Sequence, residues 1–381
     1  MDTAAVWQVP QAREPAGVIG SAGPESRPTS VAALRGTQRL RFAVVLVALA
    51  FGAFAAVHAP LKAADFYVFW AAARHAANAY DPRVIAALEA AHHVQGAWPF
   101  VYPPTFLLFV RPFALLPLQL AYPIWTGLSA ALFTYAASHL VRPALTLALL
   151  VTPPVVLAIA PGQTSLVVGA AMIGGCLMRG TRPATAGALL AIAAAIKPQA
   201  MILAPIVLWG DWRTLRWAGA VGAGLAVASL CFGPGLWLEW PRALEGFAAV
   251  VPTTDRINPS ALTSSPLWSA ALGVLGVCLA LKWRNLTGLI AGALCLTPYA
   301  HEYDLAPLAP VALVWIVDLR RSGIGLACAG AALLGGLVGS PVAALAFVAA
   351  LALFMSRRRL IPSPLEARLL HAMRWKAAHG G

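Results

Sequence analysis

Residues 183–209 read PATAGALLAIAAAIKPQAMILAPIVLW. The run is long enough to cross a bilayer core, which takes about 20 apolar residues. Its single charge is Lys197, followed at once by Pro198. Proline lacks the amide hydrogen that a continuing helix needs. The stretch therefore reads as two short apolar helices meeting at a polar rim. A lysine at membrane depth costs roughly 2.5–3.5 kcal/mol. Its ammonium must snorkel to the head groups or meet an anion, and both readings are open here.

The composition generalises the point. Of 381 residues, 60% are hydrophobic and 11% charged, against about 25% charged in a soluble domain. A chain this poor in charge is solvated by lipid. The net charge of +13 raises nucleic acid as a partner, and the placement of the charge argues against it. Arg39 and Arg41, Arg179 and Arg182, Arg213 and Arg216, Lys282 and Arg284, Arg320 and Arg321, and Arg357 to Arg359 all sit at the ends of apolar runs. That is the positive-inside pattern, so no nucleic acid is expected. Cys176, Cys231, Cys278, Cys295 and Cys328 form no CxxC pair and read as small buried hydrophobes.

The expected fold is all-α integral membrane: a polytopic helical bundle whose outer-face loops carry short interfacial helices. Residues 1–38, rich in Pro, Gly, Ser, Thr and Ala, read as a disordered cytosolic tail. Residues 39–356 form the transmembrane domain, and 357–381 a basic cytosolic tail with an interfacial helix over 364–376. Candidate spans are 42–59, 121–140, 144–160, 163–178, 183–196, 198–209, 215–232, 266–281, 286–299, 304–318, 323–339 and 341–355. The run 104–118 is short and proline-broken and reads as re-entrant. Placing the basic clusters inside puts 60–103, 233–265 and 299–303 outside, with Gln163 and Lys197 on the same face.

Several residues along that face are candidates for chemistry. Asp65 follows the first helix and precedes an aromatic run. It reads as a general base with a burial-raised pKa or as the cap of a helix over 66–79. Asp81, before Pro82, reads as a cap. VYPP at 101–104 is an extended re-entry into the membrane, with Tyr102 available to a site. PGQTS at 161–165 is a polar break, either a turn capped by Thr164 or Ser165 or a place where Gln163 meets substrate. YAHEYD at 299–304 is the densest polar cluster between apolar helices and a functional candidate by default. Glu302 and Asp304 there are rivals to Asp65 as base. No second His or Asp cluster supplies matching metal ligands, so no metal is expected, and no P-loop or GxGxxG in a nucleotide-binding context is present.

These pieces resemble glycosyltransferase family 87, the polyprenol-phosphate-mannose-dependent mannosyltransferases of the GT-C superfamily. The matching pieces are DFYVFWAAA at 65–73 with YDP at 80–82, YPP at 102–104, Gly162-Gln163, Arg182 through Lys197-Pro198 with DWR at 211–213, and TPYAHEYD at 297–304. The resemblance implies a GT-C-like membrane hexosyltransferase on the outer face of the cytoplasmic (inner) membrane. Its donor would be a polyprenyl-phosphate sugar, mannose first among the choices. Its acceptor would be a lipid-linked or envelope glycan. Transfer would be inverting, without metal or cofactor, with Asp65 as base. Lys197, Gln163, Tyr102, His301, Glu302 and Tyr303 would bind the substrates. The competing class is a transporter or flippase of lipid-linked saccharides, which would more naturally show inverted repeats.

Overall fold

The computed structural model describes residues 31–58, 65–91, 99–250, 265–297 and 300–318. The chain is all-helical there, with no strand among the described residues. The expected spans 323–339 and 341–355, the helix at 364–376 and most of the N-terminal tail lie outside the described residues.

Helix α1 (Val31–His58) begins earlier than the expected tail boundary. Two short helices follow, α2 (Asp65–Arg74) and α3 (Pro82–Ala91). Helices α4 (Pro104–Ala114) and α5 (Leu118–Ala137) are bent by 119° about the break before Leu118. Pro117 stands at that break, and the bend is what the proline-broken run 104–118 predicts. Among the described residues, three helices are long and apolar enough to cross a membrane: Gly36–His58 in α1, Trp212–Phe232 beginning with α11 (Trp212–Ser229), and α13 (Pro266–Trp283).

Two expected spans break up. Residues 144–160 form α6 (Pro143–Thr146), a 3-10 turn Leu147–Val151 and α7 (Pro153–Ile159). Pro153 and Pro154 suit the first turn of a new helix better than the interior of an old one. Residues 198–209 form a 3-10 turn Pro198–Met201 and the one-turn α10 (Ala204–Val207), for the same reason at Pro198 and Pro205. The remaining helices are α8 (Ser165–Met178), α9 (Pro183–Ile196), α12 (Leu236–Val250), α14 (Leu286–Leu296) and α15 (Ala309–Asp318).

Small residues let these helices touch. At the crossing of α1 and α5, a Cβ on Gly52 would sit 2.8 Å from the Thr126 carbonyl oxygen, and one on Gly127 would sit 2.8 Å from that of Leu49. Backbone-to-backbone approach of this kind drives association where lipid removes the hydrophobic effect between helices.

One end of the bundle is tied by arginines. Arg179, after α8, pairs with Asp211 at 3.4 Å and donates through Nη1 to the Arg284 carbonyl at 2.9 Å. Arg284 in turn donates to the Trp209 carbonyl. The turns after α8, before α11 and after α13 thus meet at one end, bringing together basic groups that the sequence scatters over a hundred residues. Helices α8, α9 and α14 each run from that end to the other. For a 14-residue helix such as α9 the separation is about 21 Å.

Candidate active site

The expected polar residues collect at the opposite end. Helix α2 brings in Asp65. It was expected as an interfacial helix, but every residue from Phe66 to Ala73 is buried. Its aromatic side chains explain the position. Phe66 stacks on Tyr122 and Trp125 with ring centroids 5.7 and 5.6 Å apart, and Phe69 meets Tyr102 and Phe106 edge-on. A helix enclosed by protein must satisfy its ends internally. The Phe66 amide donates to the Pro161 carbonyl at 3.0 Å. At the far end Arg111 donates to the carbonyls of Ala73 and Arg74. Arg111, an odd residue in an apolar run, is therefore the C-terminal cap of the helix that carries Asp65.

The turn 161–165 is the hub. Gly162 has φ +72°, and a Cβ there would lie 2.8 Å from Phe66 Cβ and from the Tyr122 ring. Glycine is needed on both counts. Trp125 donates to the Gly162 carbonyl at 2.8 Å, Tyr122 donates to that of Ala160, and the Gln163 amide donates to Ala158 at 2.8 Å. The turn is thus pinned from α2, α5 and α7.

Gln163, 4% exposed, then reaches both ways. Its Nε2 donates to Asp65 Oδ2. Its Oε1 accepts from Tyr102 Oη at 3.1 Å and from the Thr164 amide at 3.3 Å. These three partners assign the amide orientation by the donor–acceptor pattern. Tyr102 Oη also lies 3.1 Å from Thr164 Oγ1. Tyr80 donates to the Tyr102 carbonyl at 2.6 Å, so the YPP segment is held at its start. Thr164 caps α8 with no side-chain bond to the helix, and Ser165 bonds elsewhere. The simple capped turn is not what this segment forms.

Ser165 Oγ donates to Asp304 Oδ1 at 2.9 Å, and Lys197 Nζ forms an ion pair with the same oxygen. Asp304 Oδ2 accepts from the His301 amide at 3.1 Å, within the 3-10 turn Glu302–Leu308. Lys197, 6% exposed, also stands 5.1 Å from the centroid of the Tyr303 ring, which lies 5.2 Å from the His301 ring. Of its two open readings, snorkelling and pairing, Lys197 takes the second. The break after Ile196 aims it there, because α9 ends at Lys197 and Pro198 turns the chain away.

The two carboxylates differ in state. Burial pushes the Asp65 carboxyl up to about 6, and the Gln163 hydrogen bond and Lys197 ammonium offset only part of that. Burial also acts against charge on Asp304, but the adjacent Lys197 ammonium and the His301 contacts outweigh it and hold that carboxyl below its usual range. Asp65 is thus a carboxylate that can accept a proton near neutral pH. Asp304 is a fixed anion.

Asp65, Tyr102, Gln163, Lys197, His301 and Tyr303 therefore share one connected cluster. Glu302 makes no hydrogen bond or ion pair among the described residues, and Tyr299 lies outside them. Two members take roles other than those expected: Ser165, read as a cap, and Asp304, read as a rival base, hold Lys197. Their signal was the unpaired lysine: a buried ammonium requires an anion, and few carboxylates lie at that end. Asp81 accepts from the Arg83 amide at 2.9 Å ahead of α3, the capping role expected of it. Among the described residues no three His, Cys, Asp or Glu side chains are grouped to hold a metal ion. Beside the ion pair lies a cavity polar at Ser165, Lys197 and Asp304 and apolar along Met172, Ile290 and Leu294.

The profile of glycosyltransferase family 87 matches residues 100–356. The chain belongs to glycosyltransferase family 87. No curated protein and no solved structure matches it. Membership makes the chain a membrane glycosyltransferase, and it favours sugar transfer over the transport reading. The family 87 match contains Tyr102, Gln163, Ser165, Lys197 and the 301–304 turn; Asp65 precedes it. What ties Asp65 to the family 87 region is its bond to Gln163.

Proposed function

We propose that this family 87 enzyme transfers a hexose, mannose first among the candidates, from a polyprenyl phosphate to a hydroxyl of a lipid-linked or envelope glycan. Transfer is inverting and takes place on the outer face of the cytoplasmic membrane. The observation that carries this reading is the turn 163–165, where Gln163 holds a proton-accepting carboxylate and Ser165 holds the partner of a buried cation.

In the reaction, the acceptor oxygen forms a bond to the anomeric carbon on the face opposite the phosphate. Its proton passes to Asp65. The bond from the anomeric carbon to the phosphate oxygen breaks, and its electron pair stays on the polyprenyl phosphate. The phosphate goes from one negative charge to two. A cation beside it therefore binds the transition state more tightly than the ground state, the condition for catalysis. Lys197 is that cation, and Asp304 with Ser165 sets its position. The cavity along Met172 and Leu294 takes the first prenyl units. The aromatic wall around Tyr102 and Phe69 excludes water that would otherwise hydrolyse the donor.

The test is transfer by purified protein in vesicles carrying a radiolabelled polyprenyl-phosphate mannose. Label should move to an acceptor in wild type and stay on the donor in Asp65→Asn. Equal transfer by both proteins removes Asp65 from the mechanism. No consumption of the donor by wild type removes the donor class.

A further inference from the structure

Helix α9 ends in a way that opens its last carbonyls. A continuing helix would bond the Ala194 and Ala195 carbonyls to the amides of residues 198 and 199. Pro198 has no amide hydrogen, and at Lys197 the backbone leaves the helix, with φ −140° and ψ 78°. A buried carbonyl at such an end needs a donor from elsewhere. For Ala195 the donor is Thr105, the second residue of α4, whose Oγ1 donates to it at 2.5 Å. Thr105 is 4% exposed and lies 90 residues away in sequence.

That bond is a second tie between the two limbs of the site. The first is the turn 163–165, with Gln163 on Asp65 and Ser165 on Asp304. The second starts from Tyr102, which bonds Gln163 and is followed by Pro103, Pro104 and Thr105. Two prolines hold φ fixed across that interval, and the Phe106 amide donates to the Pro103 carbonyl at 2.9 Å. Thr105 then holds Ala195, two residues before Lys197. The contacts close a circuit that leaves Lys197 through Asp304 and returns to it through Thr105. Asp304 holds the ammonium at the tip of the side chain; Thr105 holds the backbone from which it springs.

We propose that Thr105 is a positioning residue for sugar transfer: its hydroxyl fixes the end of α9 against the Tyr102 segment and so sets where Lys197 stands relative to Asp65. This rests on the reading of Asp65 as base and Lys197 as phosphate partner. A hydroxyl that only capped a helix would act on stability alone. One that sets the spacing of two reacting partners acts on the chemical step, where an error of about 1 Å can cost about 10²-fold.

The test uses the full-length protein in vesicles with radiolabelled polyprenyl-phosphate mannose. Thr105→Val keeps the shape and removes the donor. Its kcat should fall about tenfold with the donor KM little changed, because the lost stabilisation belongs to the transition state. Thr105→Ser keeps the hydroxyl and should retain wild-type kcat. Thr105→Cys differs from Thr105→Ser by one atom, a weak donor, and should follow Thr105→Val. Should Thr105→Val fail to fold, the comparison of Thr105→Ser with Thr105→Cys decides. Equal kcat in those two, or wild-type kcat in Thr105→Val, overturns the proposal.

A second measurement needs no turnover. Thr105→Val should lower the melting temperature more in wild type than in a Lys197→Met, Asp304→Leu background, where no ion pair is left to place; residues of one network couple in this way. Equal drops in the two backgrounds make Thr105 a helix cap and overturn the proposal. Failure of wild type to consume the donor sinks the donor reading alone, and the melting comparison still decides whether Thr105 places Lys197.

Discussion

The Lys197 ammonium and the Asp304 carboxylate form an ion pair across 107 residues of sequence, and Ser165 donates to the same carboxylate oxygen. A buried pair of this kind is asymmetric to mutation. Losing one partner strands the other charge, commonly at about 3–5 kcal/mol, whereas replacing both with apolar groups is often tolerated. Lys197→Gln and Asp304→Leu should each lower the melting temperature, and Lys197→Met with Asp304→Leu should recover most of the loss. The double variant should still fail to transfer sugar. Melting curves and a donor-transfer assay on the three proteins check this; restored transfer in the double variant would refute the phosphate role of Lys197.

Asp65→Asn separates function from stability. Asparagine can still accept the Gln163 hydrogen bond, but it takes no proton from an acceptor. Transfer should fall by at least about 10²-fold, the low end for a lost general base. Stability should move the other way. Burial raises the folded carboxyl to about 6, above its ordinary value of 3.8. Between those values the unfolded chain ionises first, so stability conferred below pH 4 is lost as pH rises to 6. The cost is about 3 kcal/mol at neutral pH. Asp65→Asn should therefore melt higher than wild type at pH 7.5, with the gap closing toward pH 4. A lower melting temperature at pH 7.5 would mean that Asp65 is held for structure.

The pH profile of transfer should show an acid limb near pH 6, because only the ionised Asp65 accepts a proton. Gln163 donates to that carboxylate and lowers its pKa against the pull of burial. Gln163→Leu should shift the limb to higher pH and leave the plateau reachable in alkaline buffer. An unshifted limb with a uniformly reduced rate would make Gln163 a substrate contact only.

Topology is tested from the two ends of the bundle. In a cysteine-free background, Ala87→Cys in α3 should react with a membrane-impermeant maleimide added to intact cells. Thr181→Cys, beside the arginine-tied turns, should react only after permeabilisation. The reverse pattern would turn the site to the cytoplasm and remove polyprenyl-phosphate chemistry on the outer face.

How much of this is legible in the sequence depends on the range of the interaction. Apolar length is local, so α1, α11 and α13 can be read from hydropathy. Proline is local too, which makes the bend after α4 readable. The dissolution of 144–160 into α6, a turn and α7 is also written in Pro153 and Pro154, but a count of apolar residues passes over it. Lys197 declares its need for an anion; its partner cannot be read locally. Asp65 and Gln163 are 98 residues apart and Tyr102 and Gln163 are 61. Periodicity says nothing over such distances. The burial of α2 is hidden for the same reason: its eight apolar residues look like an interfacial helix until Arg111 is known to cap it.

Helix α9 is fastened at both ends. Near its start Gly187 lies so close to α11 that a Cβ would sit 2.6 Å from the Thr214 carbonyl oxygen. At its end Lys197 grips Asp304. A helix held in this way has its residue count set by geometry. Adding or removing one residue between the two contacts would swing the ammonium about 100° around the axis and shift it about 1.5 Å along it. Substitutions along α9 are limited by size, but insertions and deletions are limited by angle. In diverging copies of this gene, length changes should accumulate in the connecting turns and leave the interval from Gly187 to Lys197 intact.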